Sequence, residues 1–173
     1  SRIRVKYNKN QKEQKLFQRE GEKMREKKIY EACQRLLTVC SHCKEDENIL
    51  IVTDEESMDM GMALWDAAER FPNRTLVLMN PRKMHGEEPT DLVAAAMLKA
   101  DVIFRATTFS LSHSYARRRA CEAGARDLNC CDYDFGMLEK GGLYTDFEAN
   151  KKYVDQIAKG FAGGDQVHIT SAL

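Results

Sequence analysis

The sequence has no long apolar run. Uninterrupted apolar runs are short, as at 49–52, whereas a membrane-spanning helix needs about 20. The opening letters, SRIRVKYNKNQK, also lack the apolar core of a signal peptide. We therefore expect a cytoplasmic location and no membrane partner.

Several catalytic signatures are missing as well. No G-x-G-x-x-G follows a strand, and there is no G-x-x-x-x-G-K-[ST], G-x-S-x-G or H-E-x-x-H. The four histidines, at positions 42, 85, 113 and 168, have no ligand spacing among them. The sequence therefore displays no complete active site, and we assign to this chain no catalytic residue, metal ligand or cofactor.

The six cysteines are expected to be free thiols. Cys40-Ser-His-Cys43 is a C-x-x-C pair, but no second pair follows it, and it ends a predicted helix instead of opening one after a strand. Ordinary thiols are therefore favoured over a zinc or redox site. Cys33 and Cys40 are expected to share the core-facing side of that helix.

The 173 residues, 43% hydrophobic and 31% charged, are typical of one globular domain. Their net charge is zero, but residues 1–32 hold eleven Lys/Arg against five Asp/Glu. A solvated helix explains this surplus better than nucleic-acid binding, because interleaved aromatic residues are few. We expect a helix over 8–43, with a break at Gly21 between an outer polar piece and an inner docked piece. The predicted domains are a basic helical arm, residues 1–28, and an α/β domain, residues 29–173.

From Asn48 onwards, strand and helix patterns alternate. Short β-branched runs at 48–54, 74–80 and 101–107 predict strands, a weaker run follows at 125–132, and 165–171 alternates as a last strand. This order predicts an α/β fold: a mostly parallel, Rossmann-like three-layer sheet with helices on both faces, plus the basic N-terminal helix.

The intervening helices have predictable inner faces and N-terminal caps. The residues expected to face inward are Met58, Met62 and Trp65 in one helix, and Leu92, Val93, Ala96 and Met97 in the next. The expected N-caps are Ser57 and Thr90.

The loop RATTFSLSH, before the helix predicted at 112–123, is the candidate ligand site. In open α/β sheets, ligands bind beyond the carboxyl ends of strands, where hydroxyls and the free amides of a helix start can meet a polar group. An ordinary N-cap is the competing explanation for the hydroxyls. The acidic TDEES loop at 53–57 is interpreted as partners of a helix dipole. The candidate substrate-binding residues are Thr107, Ser110, Ser112, His113 and Arg117.

Two long stretches carry a family resemblance. ADVIFRATTFSLSHSYARRRACEAGARD, followed by MLEKGGLYTDFEANKKYVDQIAKGFAGGDQVHITS, resembles the N-terminal half of the aminopeptidase T metallopeptidases and of the similar 2,5-dihydroxypyridine dioxygenases. The helix that begins S-H-T-x-A-R in that family matches Ser112, His113, Ser114, Ala116 and Arg117 here. The resemblance covers about residues 29–173.

The resemblance implies a two-domain metalloenzyme whose ligands for a divalent metal (Zn, Co, Mn or Fe) lie in the second half, beyond this sequence. We therefore expect an N-terminal domain that is not catalytic alone, in a protein that acts on peptides or small molecules. Its partners would be a catalytic C-terminal half or further copies of itself. The alternative is a non-catalytic binding or oligomerisation module, with the basic arm as a packing element.

Overall fold

Four parallel strands form one sheet in the described part of the chain. The structure is a computed structural model that describes residues 9–171, with side chains from residue 20 onwards. The spatial order is β2-β1-β3-β4. The strands are β1 (Ile49–Asp54), β2 (Arg74–Met79), β3 (Val102–Ala106) and β4 (Arg126–Asn129). The helices are α1 (Lys9–Arg35), which continues as a π-helical turn (Leu36–Cys40), α2 (Met58–Ala67), α3 (Asp91–Met97), α4 (Tyr115–Glu122), α5 (Phe135–Glu139) and α6 (Phe147–Ala162).

Helices cover both faces of the sheet. One face buries Ile51 and Phe104 against residues of α1, α2 and α5. The other buries Val52 and Ile103 against α3 and α4. Every residue of the central strands β1 and β3 is buried, because each has a strand on both sides and helices above and below. The predicted α/β class and three-layer arrangement are confirmed.

The chain divides into two compact units, Ser1–Leu143 and Tyr144–Leu173. In the second unit, α6 is a 16-residue helix in which no residue is buried. Asp146 caps it by accepting a hydrogen bond from the Ala149 amide at 2.9 Å. The strand predicted at 165–171 does not form, because alternation alone does not supply the neighbouring strand that a ladder requires.

The first helix differs from its prediction in three respects. It runs through Gly21 without a break, since one glycine costs only about 1 kcal/mol among good helix formers. It ends at Cys40 and not at residue 43. The hydroxyl of the next residue, Ser41, donates to the Leu36 carbonyl at 2.7 Å. The π-helical turn also rotates the last residues, so Cys33 is buried as predicted but Cys40 is exposed. Of the predicted arm, residues 1–8 lie outside the described part.

The predicted inner face of α2 is correct only in part. Trp65 is half-buried and packs against the core, but Met62 is exposed, and the fully buried residues of this helix are Met60, Gly61, Leu64 and Ala67. Gly61 explains the rotation, because an added Cβ there would lie 2.7 Å from the Cβ and Oγ1 of Thr53. A glycine at this point lets α2 approach β1 more closely than a larger residue would.

Two further details of the helix predictions need correction. In α3, Val93 and Met97 are buried as predicted, but Leu92 is 84% exposed. In α4, the helix begins at Tyr115 rather than Ser112, because Ser114 is the N-cap. Thr90 caps α3 as predicted, with the Val93 amide 3.4 Å from its hydroxyl. No helix of residues 9–171 has both the length and the apolar character to cross a membrane.

Candidate functional site

The strand order places a topological switch point between β1 and β3. From β1 the chain crosses to β2 on one side, and from β2 it returns to β3 on the other side of β1. The loops after β1 and β3 therefore diverge from neighbouring strand ends. In open α/β sheets this divergence leaves a crevice in which ligands bind.

Asp54, the last residue of β1, joins these two loops. Its buried carboxylate accepts hydrogen bonds from the Thr108 amide at 2.7 Å and the Thr108 hydroxyl at 2.8 Å. It also accepts one from the Ser57 amide at 3.1 Å. Ser57 thus occupies the predicted N-cap position of α2, but its side chain makes no capping hydrogen bond. Asp54 therefore ties the loop after β1 to the loop after β3 by hydrogen bonds, and is not only a partner of the helix dipole.

Directly outside this tie lies a cavity of about 320 Å³, here called the switch-point crevice. Its lining combines three carboxylates, two hydroxyls, a phenol and two apolar side chains, with no lysine or arginine among the described lining residues. One carboxylate, Asp134, also accepts from the Met137 amide at 2.8 Å as the N-cap of α5. The lining residues are Glu56, Ser57, Met60, Thr108, Asp132, Tyr133, Asp134 and Phe135.

The charge around the crevice is negative. Burial, and then the charge of Asp132, raise the pKa of the neighbouring Cys131 thiol to about 11. Burial also raises the pKa of the Tyr133 phenol. Both groups are therefore neutral at pH 7, and the carboxylates alone set the charge of the lining. Such a lining favours a cationic ligand group over an anionic one.

The predicted loop on the other side of β3 forms a second polar cluster. The Ser110 hydroxyl donates to the Ser112 hydroxyl at 2.8 Å, and the Arg105 Nη2 donates to Ser112 Oγ at 3.2 Å. Arg117 joins through its Nε, 3.1 Å from Asp127 Oδ2. This hydrogen bond raises the pKa of the Arg117 guanidinium. Ser110, Ser112 and Arg117 are therefore brought together, around two residues that the sequence analysis did not select.

Arg105 and Asp127 form the centre of this cluster. Their side chains are only 1% and 2% exposed, and the Arg105 Nε and Nη2 lie 2.6 Å and 2.7 Å from the two carboxylate oxygens. The remaining Arg105 nitrogen, Nη1, is buried without a hydrogen-bond partner among the described residues. Such a forked, buried pair fixes β4 to β3 and costs much stability if one partner is removed.

The other two predicted residues lie apart from this cluster. The Thr107 side chain is buried and donates to the Phe109 carbonyl at 2.9 Å, which shapes the loop. His113 is exposed. The helix start next to it is already occupied, since the Glu88 carboxylate accepts from the amides of Tyr115 and Ala116. The free amides expected at this helix start are therefore already bonded within the chain.

Three important residues were not among the candidate site residues, although two of them carry a signal in the sequence. Asp54 ends the fully buried strand β1 at the switch point, a position that the strand order would have marked. Arg105 is a single charge inside the apolar run VIFRA, and a charge in a central strand requires a buried partner. That partner, Asp127, lies 22 residues away and has no local signal.

Comparison with known proteins gives no relative for this chain. No protein-family model, no characterised protein and no solved structure matches it. Its function must therefore be argued from its own residues. In the described part of the chain, no group of three or more His, Cys, Asp or Glu side chains is arranged to hold a metal ion. All six cysteines are free.

Proposed function

We propose that this chain is the N-terminal α/β domain of an aminopeptidase T-like metalloenzyme, a metal-dependent hydrolase of peptides, and is not catalytic alone. The observation that supports the proposal most is the acidic switch-point crevice. A peptide with a free N-terminus carries an ammonium group at neutral pH. The carboxylates of the crevice can pair with that group while Met60 and Phe135 contact the adjoining side chain.

The acidic lining also favours the peptidase over the related dioxygenase. A dihydroxypyridine has no ammonium group, so carboxylates such as Glu56 and Asp132 would have no cation of the ligand to pair with. The described residues do not fit a metal centre, so the divalent metal would be bound by residues elsewhere in the whole protein.

Binding of a small amine tests the role of the crevice. We expect alaninamide, titrated into the 173-residue chain, to shift the amide NMR signals of Thr108 and Tyr133 in a saturable way. N-acetyl-alaninamide, which has no ammonium group, should not. Glu56→Gln should weaken binding by about three- to fivefold, the typical value of a partly exposed ion pair. Glu55→Gln is the matched control, because Glu55 is adjacent and exposed but does not line the crevice. Equal shifts with both compounds would exclude an ammonium site.

The enzyme family is tested separately, by activity and metal content. We expect a longer form of the protein to hydrolyse aminoacyl-anilides with a divalent metal and the 173-residue chain to be inactive. Ring opening of dihydroxypyridines by the longer form would favour the dioxygenase instead. Stoichiometric metal bound by the 173-residue chain would contradict our assignment of the ligands to another part of the protein.

A second candidate function, a non-catalytic association module, is favoured by α6. Its exposed apolar side chains include Tyr153, Val154, Ile157 and Phe161, which are 55%, 62%, 62% and 59% exposed. This spacing places them on one side of the helix. If the chain self-associates through α6, Ile157→Asp should reduce the mass measured by light scattering, whereas Gln156→Asp on the polar side should not. Removal of residues 1–28 tests the basic arm in the same assay, and an unchanged number of copies per particle would exclude the arm as a packing element.

A further inference from the structure

The segment of residues 82–88, here called the latch, lies between β2 and α3 and is bonded to the β3–α4 loop. The Gly86 amide donates to the Ser110 carbonyl at 2.8 Å. In return, the Ser110 amide donates to Nδ1 of the His85 ring at 3.0 Å. The His85 ring also packs edge-on against Phe109, with ring centroids 5.3 Å apart. Both backbone groups of Ser110 are therefore held by the latch.

Two further contacts define how the latch sits. Its last residue, Glu88, accepts from the amides of Tyr115 and Ala116 at the start of α4. Gly86 has a φ of +85°, and an added Cβ there would lie 3.4 Å from the Cβ of His113. The closed arrangement thus depends on three residues of the latch. Gly86 adopts a positive φ, Glu88 caps the start of α4, and the His85 ring accepts from the Ser110 amide.

The hydrogen bond to His85 has a chemical requirement. A ring nitrogen can accept an N–H only if it carries no proton, so His85 must be neutral, with its proton on Nε2. When the ring is protonated, Nδ1 also carries hydrogen, and two N–H groups then face each other across this contact. The closed arrangement and the protonated ring are incompatible.

We propose that the latch is a pH-sensitive cover over the β3–α4 loop, closed while His85 is neutral and released when its ring is protonated. Release would free both backbone groups of Ser110, and with them the β3–α4 loop, from the latch. The latch is a property of these two loops, and it stands whether or not the chain is an aminopeptidase domain.

The neighbouring charges do not offer the protonated ring a ready partner. The ionisable groups of the latch are Arg82, Lys83, Glu87 and Glu88, and that of the facing loop is His113. Glu87 accepts from the Lys83 amide at 2.6 Å and lies 3.9 Å from the Arg82 guanidinium. Glu88 is bonded to the α4 amides. Both latch carboxylates are therefore engaged in the closed state.

The test is amide exchange of Ser110 and Gly86, followed by NMR on the whole chain at about pH 8 and about pH 5.5, a range in which histidines change charge and most carboxylic acids do not. Protection factors corrected for the intrinsic pH dependence are compared. We expect protection at both amides to fall about tenfold on acidification, the usual weight of a lost hydrogen bond. Unchanged protection would overturn the proposal.

Two variants and one direct measurement sharpen this test. His85→Phe keeps a ring against Phe109 but has no acceptor, so protection of Ser110 should be low at both pH values. His168→Phe, at an exposed histidine of the second unit, should leave the pH dependence of Ser110 unchanged. The ring nitrogen shifts of the unmodified chain decide the matter even if a variant misfolds. A proton on Nε2 at neutral pH supports the latch, and a proton on Nδ1 refutes it.

Discussion

Replacement of Gly61 by alanine gives the sharpest test of how α2 packs at the switch point. In an exposed helix this change stabilises a protein by up to about 1 kcal/mol, because glycine is the poorer helix former. At Gly61, however, the new Cβ would lie 2.7 Å from both Cβ and Oγ1 of Thr53 and 2.9 Å from its Cγ2. All three atoms belong to a short, buried, β-branched side chain that cannot move aside. The steric contact should therefore outweigh the gain in helix propensity.

The expected magnitude follows from these two opposing effects. Overpacking of a closed core typically costs about 1–3 kcal/mol. After a helix-propensity gain of about 1 kcal/mol is subtracted, Gly61→Ala should lower the free energy of unfolding by up to about 2 kcal/mol. Gly21→Ala is the matched control, because nothing lies within 4 Å of a Cβ added at that helical position. It should be neutral or stabilising by up to about 1 kcal/mol.

Urea unfolding followed by circular dichroism measures both variants under the same conditions. A lower midpoint for Gly61→Ala together with an unchanged or higher midpoint for Gly21→Ala is the expected pattern. If Gly61→Ala were as stable as the unmodified protein, the close contact between α2 and β1 would be incorrect. Gly61 would then not determine which side of α2 faces β1.

Two further predictions concern buried groups. Asp127→Asn leaves the Arg105 charge buried without its counter-ion, so it should lower the free energy of unfolding by about 3–5 kcal/mol. The control Glu122→Gln removes an exposed ion pair and should change the free energy of unfolding by no more than about 1 kcal/mol. Unfolding in urea measures both, and equal effects would refute the burial of the pair. Burial raises the pKa of the Cys33 and Cys130 thiols to about 12 from an ordinary value of 9.0, so the folded state holds their protons more tightly. Stability should therefore fall as the pH rises from about 9 towards about 12, and at about pH 8 both thiols should react with iodoacetamide only after unfolding. Rapid labelling of either in the folded protein would contradict this.

The fold was predictable because its central strands are unambiguous. β1 and β3 are short, mostly apolar runs between helical patterns, and burial on both faces of a parallel sheet favours that composition. Which side of a helix faces inward was less predictable. Met62 follows Met58 at helical spacing, but the small size of Gly61 decides which side of α2 meets β1.

The candidate site was predictable only in part, since its contacts cross long stretches of sequence. The hydroxyls of Ser110 and Ser112 were recognisable from their place after a strand. The tie between Asp54 and Thr108 spans 54 residues and depends on the strand order. The latch could not be foreseen at all, because nothing in the letters around His85 shows that its ring meets the Ser110 amide.

The two outer strands of the sheet differ in a way that matters for aggregation. β4 is only four residues long, and its Arg126 and Asp127 are tied into ion pairs with Glu47 and Arg105. Short, charged edge strands discourage pairing with a strand of another molecule. β2 is longer and carries Leu78, which is 47% exposed. Intermolecular strand addition should therefore begin at β2, and a lysine introduced in place of Leu78 is the natural way to suppress it.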